Sequence, residues 1–136
     1  KNGINTFLIP PGSIEDSRKL LDIALEYDCK IVFLFDHPQL RETKVFQKVF
    51  KQKISTELTA SEALLGYFIL DEPMWCGVSK ENVDESYNFV REIDPYRPIW
   101  INEAPRGTLK DLTEYAEYTD IWGMDIYPVP VPAAVA

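Results

Sequence analysis

The sequence predicts a parallel α/β fold. Five short apolar runs, amphipathic stretches that fill every gap between them, and capping or breaking residues at the ends of those stretches carry the prediction. The runs occupy residues 4–9, 31–35, 65–70, 99–101 and 121–126, and each is nearly continuous in apolar character, as expected of parallel strands covered on both sides. The first helix opens at Ser13 with Asp16 three residues on, a capping-box spacing, and places Ile14, Leu21, Ala24 and Leu25 on one stripe. A second spans about 40–63, with Val45, Phe46, Val49 and Phe50 on its apolar side, Lys44, Lys48, Lys51 and Lys53 on a solvated side, and a break near Ser55. A third runs from Ser79 to about Asp94 with Val83, Tyr87, Val90 and Ile93 on one face, and Pro95 stops it. The fourth begins at Thr108 with Asp111 in the capping-box position and ends near Tyr118.

Strand starts at residues 4, 31, 65, 99 and 121 give repeats of 27, 34, 34 and 22 residues, close to the ~31 per unit of an eight-unit β/α barrel. An open doubly wound sheet has similar spacing, but no Gly-x-Gly-x-x-Gly and no Gly-x-x-x-x-Gly-Lys-Ser/Thr follows any run. The expectation is therefore a single TIM-type (β/α)8 barrel domain over residues 1–136, partial, with about five of the eight strands. Such a piece leaves two strand edges open and is not expected to fold autonomously, so the remaining barrel segment is an expected partner.

Fourteen Lys and Arg against 22 Asp and Glu leave a net charge of −8, which repels phosphate backbones and argues against nucleic acid. One histidine, His37, and two cysteines, Cys29 and Cys76, make no metal-ligand spacing and no disulfide framework, and no cofactor is expected. No apolar run reaches the ~18 residues of a membrane span, and residues 1–5 lack the layout of a signal peptide.

In barrels the chemistry sits at the C-terminal strand ends. Here the second run ends in Asp36-His37, the third in Asp71-Glu72-Pro73, the fourth in Asn102-Glu103 and the fifth in Asp125-Ile126-Tyr127-Pro128, so four successive strands deliver carboxylates to one rim. Polar strand ends also arise from simple exposure and helix capping. Glu72 stands out because it follows Asp71 and an apolar run without a spacer, and Pro73 is expected to hold it extended. A partly desolvated Glu72 beside Tyr67, Phe68 and Trp75 would suit general acid catalysis. Trp75 and Tyr127, beyond the strands, suit the apolar faces of pyranose rings, whereas Trp100 and Trp122 are assigned to core packing. His37 reads either as a substrate contact or as a solvated turn residue; Cys29 reads as a small buried apolar residue.

Leu64-Leu65-Gly66-Tyr67-Phe68-Ile69-Leu70-Asp71-Glu72-Pro73 resembles the segment of clan A glycoside hydrolase barrels that carries the acid/base glutamate at the end of the fourth strand, in the Asp-Glu-Pro variant of the usual Asn-Glu-Pro. Asp94-Pro95-Tyr96-Arg97-Pro98-Ile99-Trp100 resembles the lead-in to the next strand, and residues 119–128 the strand after it. Gly3-Ile4-Asn5-Thr6, Leu21-Asp22-Ile23-Ala24 and Lys30-Ile31-Val32 are similar to early barrel units, so the likeness covers about residues 3–130 and makes the runs barrel strands two to six.

The resemblance implies a carbohydrate substrate, Glu72 as proton donor and later base, and Asp71 where an asparagine contacts the sugar 2-hydroxyl. As a carboxylate, Asp71 accepts but does not donate a hydrogen bond, so that contact must differ. Tyr127 matches an aromatic hydroxyl near the nucleophile, and the nucleophile is expected on a seventh strand outside this chain. His37, Trp75, Asn102, Glu103 and Asp125 complete the expected substrate contacts; Glu103 is also the second carboxylate candidate within the chain. A secreted or periplasmic location follows from the resemblance only. Two other functions fit the residues: a carbohydrate-binding or scaffold barrel that has lost catalysis, with Asp71 as the symptom, and a barrel enzyme holding Mg²⁺ or Mn²⁺ through Asp36, Glu72, Glu103 and Asp125.

Overall fold

A computed structural model describes residues 3–105 and 108–126. In chain order the elements are β1 (Thr6–Ile9), α1 (Ile14–Glu26), β2 (Lys30–Leu34), a 3₁₀ turn (Pro38–Arg41), α2 (Thr43–Lys53), the single turn α3 (Thr56–Thr59), β3 (Leu64–Asp71), α4 (Lys80–Ile93), β4 (Ile99–Glu103), α5 (Leu109–Ala116) and β5 (Ile121–Met124). The strands form one sheet in the order β1-β2-β3-β4-β5, every neighbouring pair parallel. Strand order follows chain order without the reversal of doubly wound sheets, so there is no topological switch point among the described strands.

The caps act where their chemistry is present. Ser13, Ser55, Ser79 and Thr108 accept from the backbone N–H groups of Asp16, Leu58, Asn82 and Asp111, and at Thr108 the Asp111 carboxylate reciprocates to complete a capping box. The Ser55 cap turns the expected break into a separate helical turn. The α1 stripe is narrower than its pattern suggests: Leu21 and Ala24 are buried, whereas Ile14 and Leu25 are exposed.

Helices α1, α2, α4 and α5 pack side by side in chain order. Their buried residues meet Ile31, Phe33, Phe35, Tyr67, Ile69, Ile99 and Ile101 of the sheet in one apolar core. Its centre is aromatic: the Phe50 ring lies 4.9 Å from Phe35, 5.6 Å from Phe46, 5.2 Å from Tyr67 and 5.9 Å from Phe89, distances at which tilted and edge contacts add to burial. On the opposite side of the sheet Phe68 meets Trp100 edge-on at 5.3 Å, and Val32 and Phe68 are buried.

Two bulges in β3 set which side chains reach which face. Leu65 is the extra residue between the Ile31–Leu64 and Val32–Gly66 pairs, and Ile69 the extra residue between Phe68–Trp100 and Leu70–Ile101. The second shifts the alternation by one, so that Ile69 and Leu70 both enter the helix-side core and Asp71 pairs with Asn102.

The starts of β3 and β4 are fastened by Asp94. Its carboxylate, 2% exposed, accepts from the Tyr67 hydroxyl at 2.8 Å, the Arg97 guanidinium at 3.0 Å and the backbone N–H groups of Tyr96 and Arg97. Arg97 donates onward to the carbonyls of Leu64 and Ser61, both at 2.7 Å. Burial, followed by the Asp94 charge, pushes the Tyr67 hydroxyl far above its ordinary range, so it remains a donor. Gly66 lies so close to β4 that an added Cβ would sit 2.4 Å from the Pro98 carbonyl oxygen.

Asp120 fastens the start of β4 in a similar way. It accepts from the Ile99 N–H at 2.8 Å, the Tyr87 hydroxyl and the Arg91 guanidinium. Replacing Asp94 by Ala strands Tyr67 and Arg97 in the interior, and urea denaturation is expected to show a loss of about 3–5 kcal/mol.

Candidate functional site

The C-terminal ends of β2, β3 and β4 bring Asp36, Asp71, Glu72 and Glu103 together. Asp36 and Asp71 feel one another's charge, and Glu103 feels that of both Asp71 and Glu72. Asp36 is held above the ordinary carboxylate range by desolvation and then by Asp71, with Arg41 and His37 opposing. Asp71 accepts from the Asn102 side-chain amide at 3.1 Å. Asn102 is buried beside Gly123, where an added Cβ would lie 2.5 Å from Asn102 Oδ1 and 2.6 Å from Trp100 Nε1. The missing side chain at Gly123 is therefore what lets Asn102 and Trp100 occupy this face.

Glu72 departs from the extended conformation expected before Pro73. Its φ is +46°, in the left-handed region that costs a non-glycine residue about 1–2 kcal/mol. Backbone bonds on both sides hold it there: its N–H donates to the Asn102 carbonyl at 2.7 Å, and its carbonyl accepts from Cys76 N–H at 2.9 Å. Pro73 therefore does not hold Glu72 extended: pairing to β4 and the tight turn after it select a bend. The turn is closed further by Val78 N–H to the Pro73 carbonyl at 2.9 Å and by the Tyr115 hydroxyl to the Val78 carbonyl at 2.7 Å.

Glu103 differs most from its expected role as a substrate contact. Strand alternation turns it with Ile99 and Ile101 toward the helix layer, where it is 0% exposed. Its Oε1 accepts from Met74 N–H at 3.1 Å, while Oε2 has no hydrogen-bond partner among the described residues. Burial, with Glu72 and Asp71 adding, raises it to about 7 against the pull of the Met74 and Ala104 N–H groups. A buried side chain that holds the turn is not open to a ligand.

The other expected contacts separate. Trp75 is exposed at 57% in the turn beside Glu72. His37 is exposed and caps the 3₁₀ turn, its Nδ1 accepting from Gln39 N–H at 3.3 Å, which matches the turn reading of that residue. Asp125 continues the rim, its N–H donating to the Glu103 carbonyl at 2.8 Å. Tyr127 lies outside the described residues. Trp100 is on the face opposite the helices, and Trp122 pairs in register with Ile101; both indole nitrogens are buried. Cys29 is partly buried and donates weakly to the Tyr27 carbonyl. The Cys76 thiol is pushed up by burial, with Arg41 opposing and Glu72 adding, so it remains the weakly nucleophilic thiol.

No group of three or more His, Cys, Asp or Glu among the described residues has an arrangement that would hold a metal ion. Glu103, one of the four expected oxygen ligands, is turned into the core. No described helix is long and apolar enough to cross a membrane. No protein-family model matches the chain, and no curated protein matches it.

Two outcomes follow from the packing. Gly123→Ala should cost about 1–3 kcal/mol in thermal or chemical unfolding, through displacement of Asn102 and Trp100. Because the folded state binds the Glu103 proton more tightly than the unfolded chain, this residue makes stability fall as pH rises from about 4.5 to about 7 and level off above. The full effect is on the order of 3 kcal/mol, and the difference between wild type and Glu103→Gln in denaturation at pH 5 and pH 8 measures it.

Proposed function

We propose that the sheet belongs to a (β/α)8 barrel of glycoside hydrolase type acting on an oligo- or polysaccharide, with Glu72 as general acid and base. The observation that carries this reading is the Glu72 backbone. A carboxylate residue sits in a strained left-handed conformation at a strand end, secured by β4 on one side and a hydrogen-bonded turn on the other, and such strain gathers where a side chain must be aimed.

Support for the barrel comes from strand order, neighbouring helices along one side of the sheet, and apolar residues on the other. Barrels combine these features and place their chemistry at the C-terminal rim. In the proposed mechanism Glu72 protonates the departing glycosidic oxygen and then takes a proton from the incoming water. Asp71, already accepting from Asn102, offers its remaining lone pairs to a sugar hydroxyl, and Trp75 offers an apolar face. The second carboxylate of the reaction is assigned outside the described residues, since Glu103 is buried.

Sugar binding without turnover is the second reading. It draws on Asp71, a carboxylate where a donor amide would serve a glycosidase. Hydrolysis of aryl glycosides by the full protein separates the two: Glu72→Gln should lower turnover by about 10²–10⁴ while sugar binding by calorimetry persists. Unchanged turnover would remove Glu72 from the chemistry, and binding with no turnover in the wild type would favour the second reading.

A further inference from the structure

Glu103 is a fully buried carboxyl that the proposed reaction does not use. It lies beneath the Asp71-Glu72-Pro73 turn, joined to it by Met74 N–H at Oε1. Its other oxygen has no hydrogen-bond partner among the described residues. An ionised carboxylate so placed would bury a charge with one oxygen uncompensated, whereas a protonated one buries only a hydroxyl. Among the described residues the groups that face it are the Asp71 and Glu72 carboxyls at the end of β3, the Met74 N–H in the turn, the Ala104 N–H on its own strand and the Tyr115 phenol from α5. Tyr115 also closes the same turn through the Val78 carbonyl. The Asp71 and Glu72 carboxyls act on Glu103 with like charge, so its ionisation would add a third negative charge at this end of the sheet.

We propose that Glu103 is a positioning residue: by carrying a proton on Oε2 while Oε1 holds Met74, it fixes the turn that bears Glu72 and keeps a third negative charge away from the rim until it ionises. The state of the rim is then set from below by a proton that no ligand touches. Met74 registers the change directly, because its N–H bonds to a neutral acceptor at low pH and to a charged, stronger one at high pH. The placement of Glu103 holds whether or not Glu72 transfers protons to a sugar; only its effect on catalysis rests on that reading.

Carboxyl-carbon and amide NMR of the full protein between pH 4 and pH 9 tests this without any substrate. The expected result is a Glu103 carboxyl titrating near 7, with Met74 N–H, Asp71 and Glu72 resonances inflecting at the same midpoint. In Glu103→Gln, which keeps an acceptor for Met74, those shared inflections should vanish. Titration of Glu103 in the ordinary carboxylate range, or a Met74 amide that does not move with it, would overturn the proposal, and the wild-type experiment decides this even if the variant fails to fold. Loss of the Glu72 role in the glycoside assay would leave these titrations unchanged, so the two failures are distinguishable.

Discussion

The buried Asp94 carboxylate is the constraint on which the sheet depends. It gathers a tyrosine hydroxyl from β3, a guanidinium and two backbone donors from the lead-in to β4, and Arg97 passes the connection on to the carbonyls of Ser61 and Leu64 at the start of β3. A buried ion pair is weak evidence for net stability, because desolvation offsets much of the attraction. What it supplies here is register. Tyr67 cannot slide along β4 without parting its buried hydroxyl from Asp94, and Gly66 permits the close approach that this register demands. With the N-terminal ends fixed, the positions of Asp71, Glu72 and Asn102 at the far ends follow from strand length and the extra residue at Ile69.

The two ends of the sheet therefore divide the work. At the N-terminal end, acids are matched by arginines: Asp94 with Arg97 and Asp120 with Arg91. At the C-terminal end burial raises Asp36 and Glu103, with the charge of Asp71 adding at Asp36 and those of Glu72 and Asp71 adding at Glu103. Paired charges suit a joint that must not move. A carboxyl desolvated beside like charges holds its proton more tightly.

Much of the fold is legible in the sequence because each element carries local signals. Apolar runs locate the five strands within a few residues, and Ser13, Ser79 and Thr108 mark helix starts through hydrogen bonds spanning only three residues. The site is legible in composition but less so in geometry. That Asp71 and Glu72 end a strand can be read from the pattern; the bulge at Ile69 that turns Asp71 toward Asn102 cannot, since Ile69 and Leu70 look alike in an apolar run. The left-handed Glu72 escapes a sequence reading because the residue before a proline is expected to be extended, and the backbone bonds to Asn102 and Cys76 that override this join groups the sequence does not show to be neighbours. Glu103 reads as a rim residue because it follows Asn102, yet alternation sends neighbours to opposite faces, and a buried acid becomes visible only with the turn that covers it. A single observation flags it: Ile99, Ile101 and Glu103 share one parity in a strand whose other side carries Trp100 and Asn102.

The backbone of Glu72 has a consequence for how this position responds to change. Its φ of +46° is one that glycine adopts freely and glutamate does not. Backbone preference and side-chain chemistry thus pull position 72 in opposite directions. With the carboxylate dispensable, Glu72→Gly would relieve the strain, offset in part by the greater freedom of glycine in the unfolded chain. If the carboxyl serves the reaction proposed for it, the glutamate trades fold stability for a carboxyl at the rim.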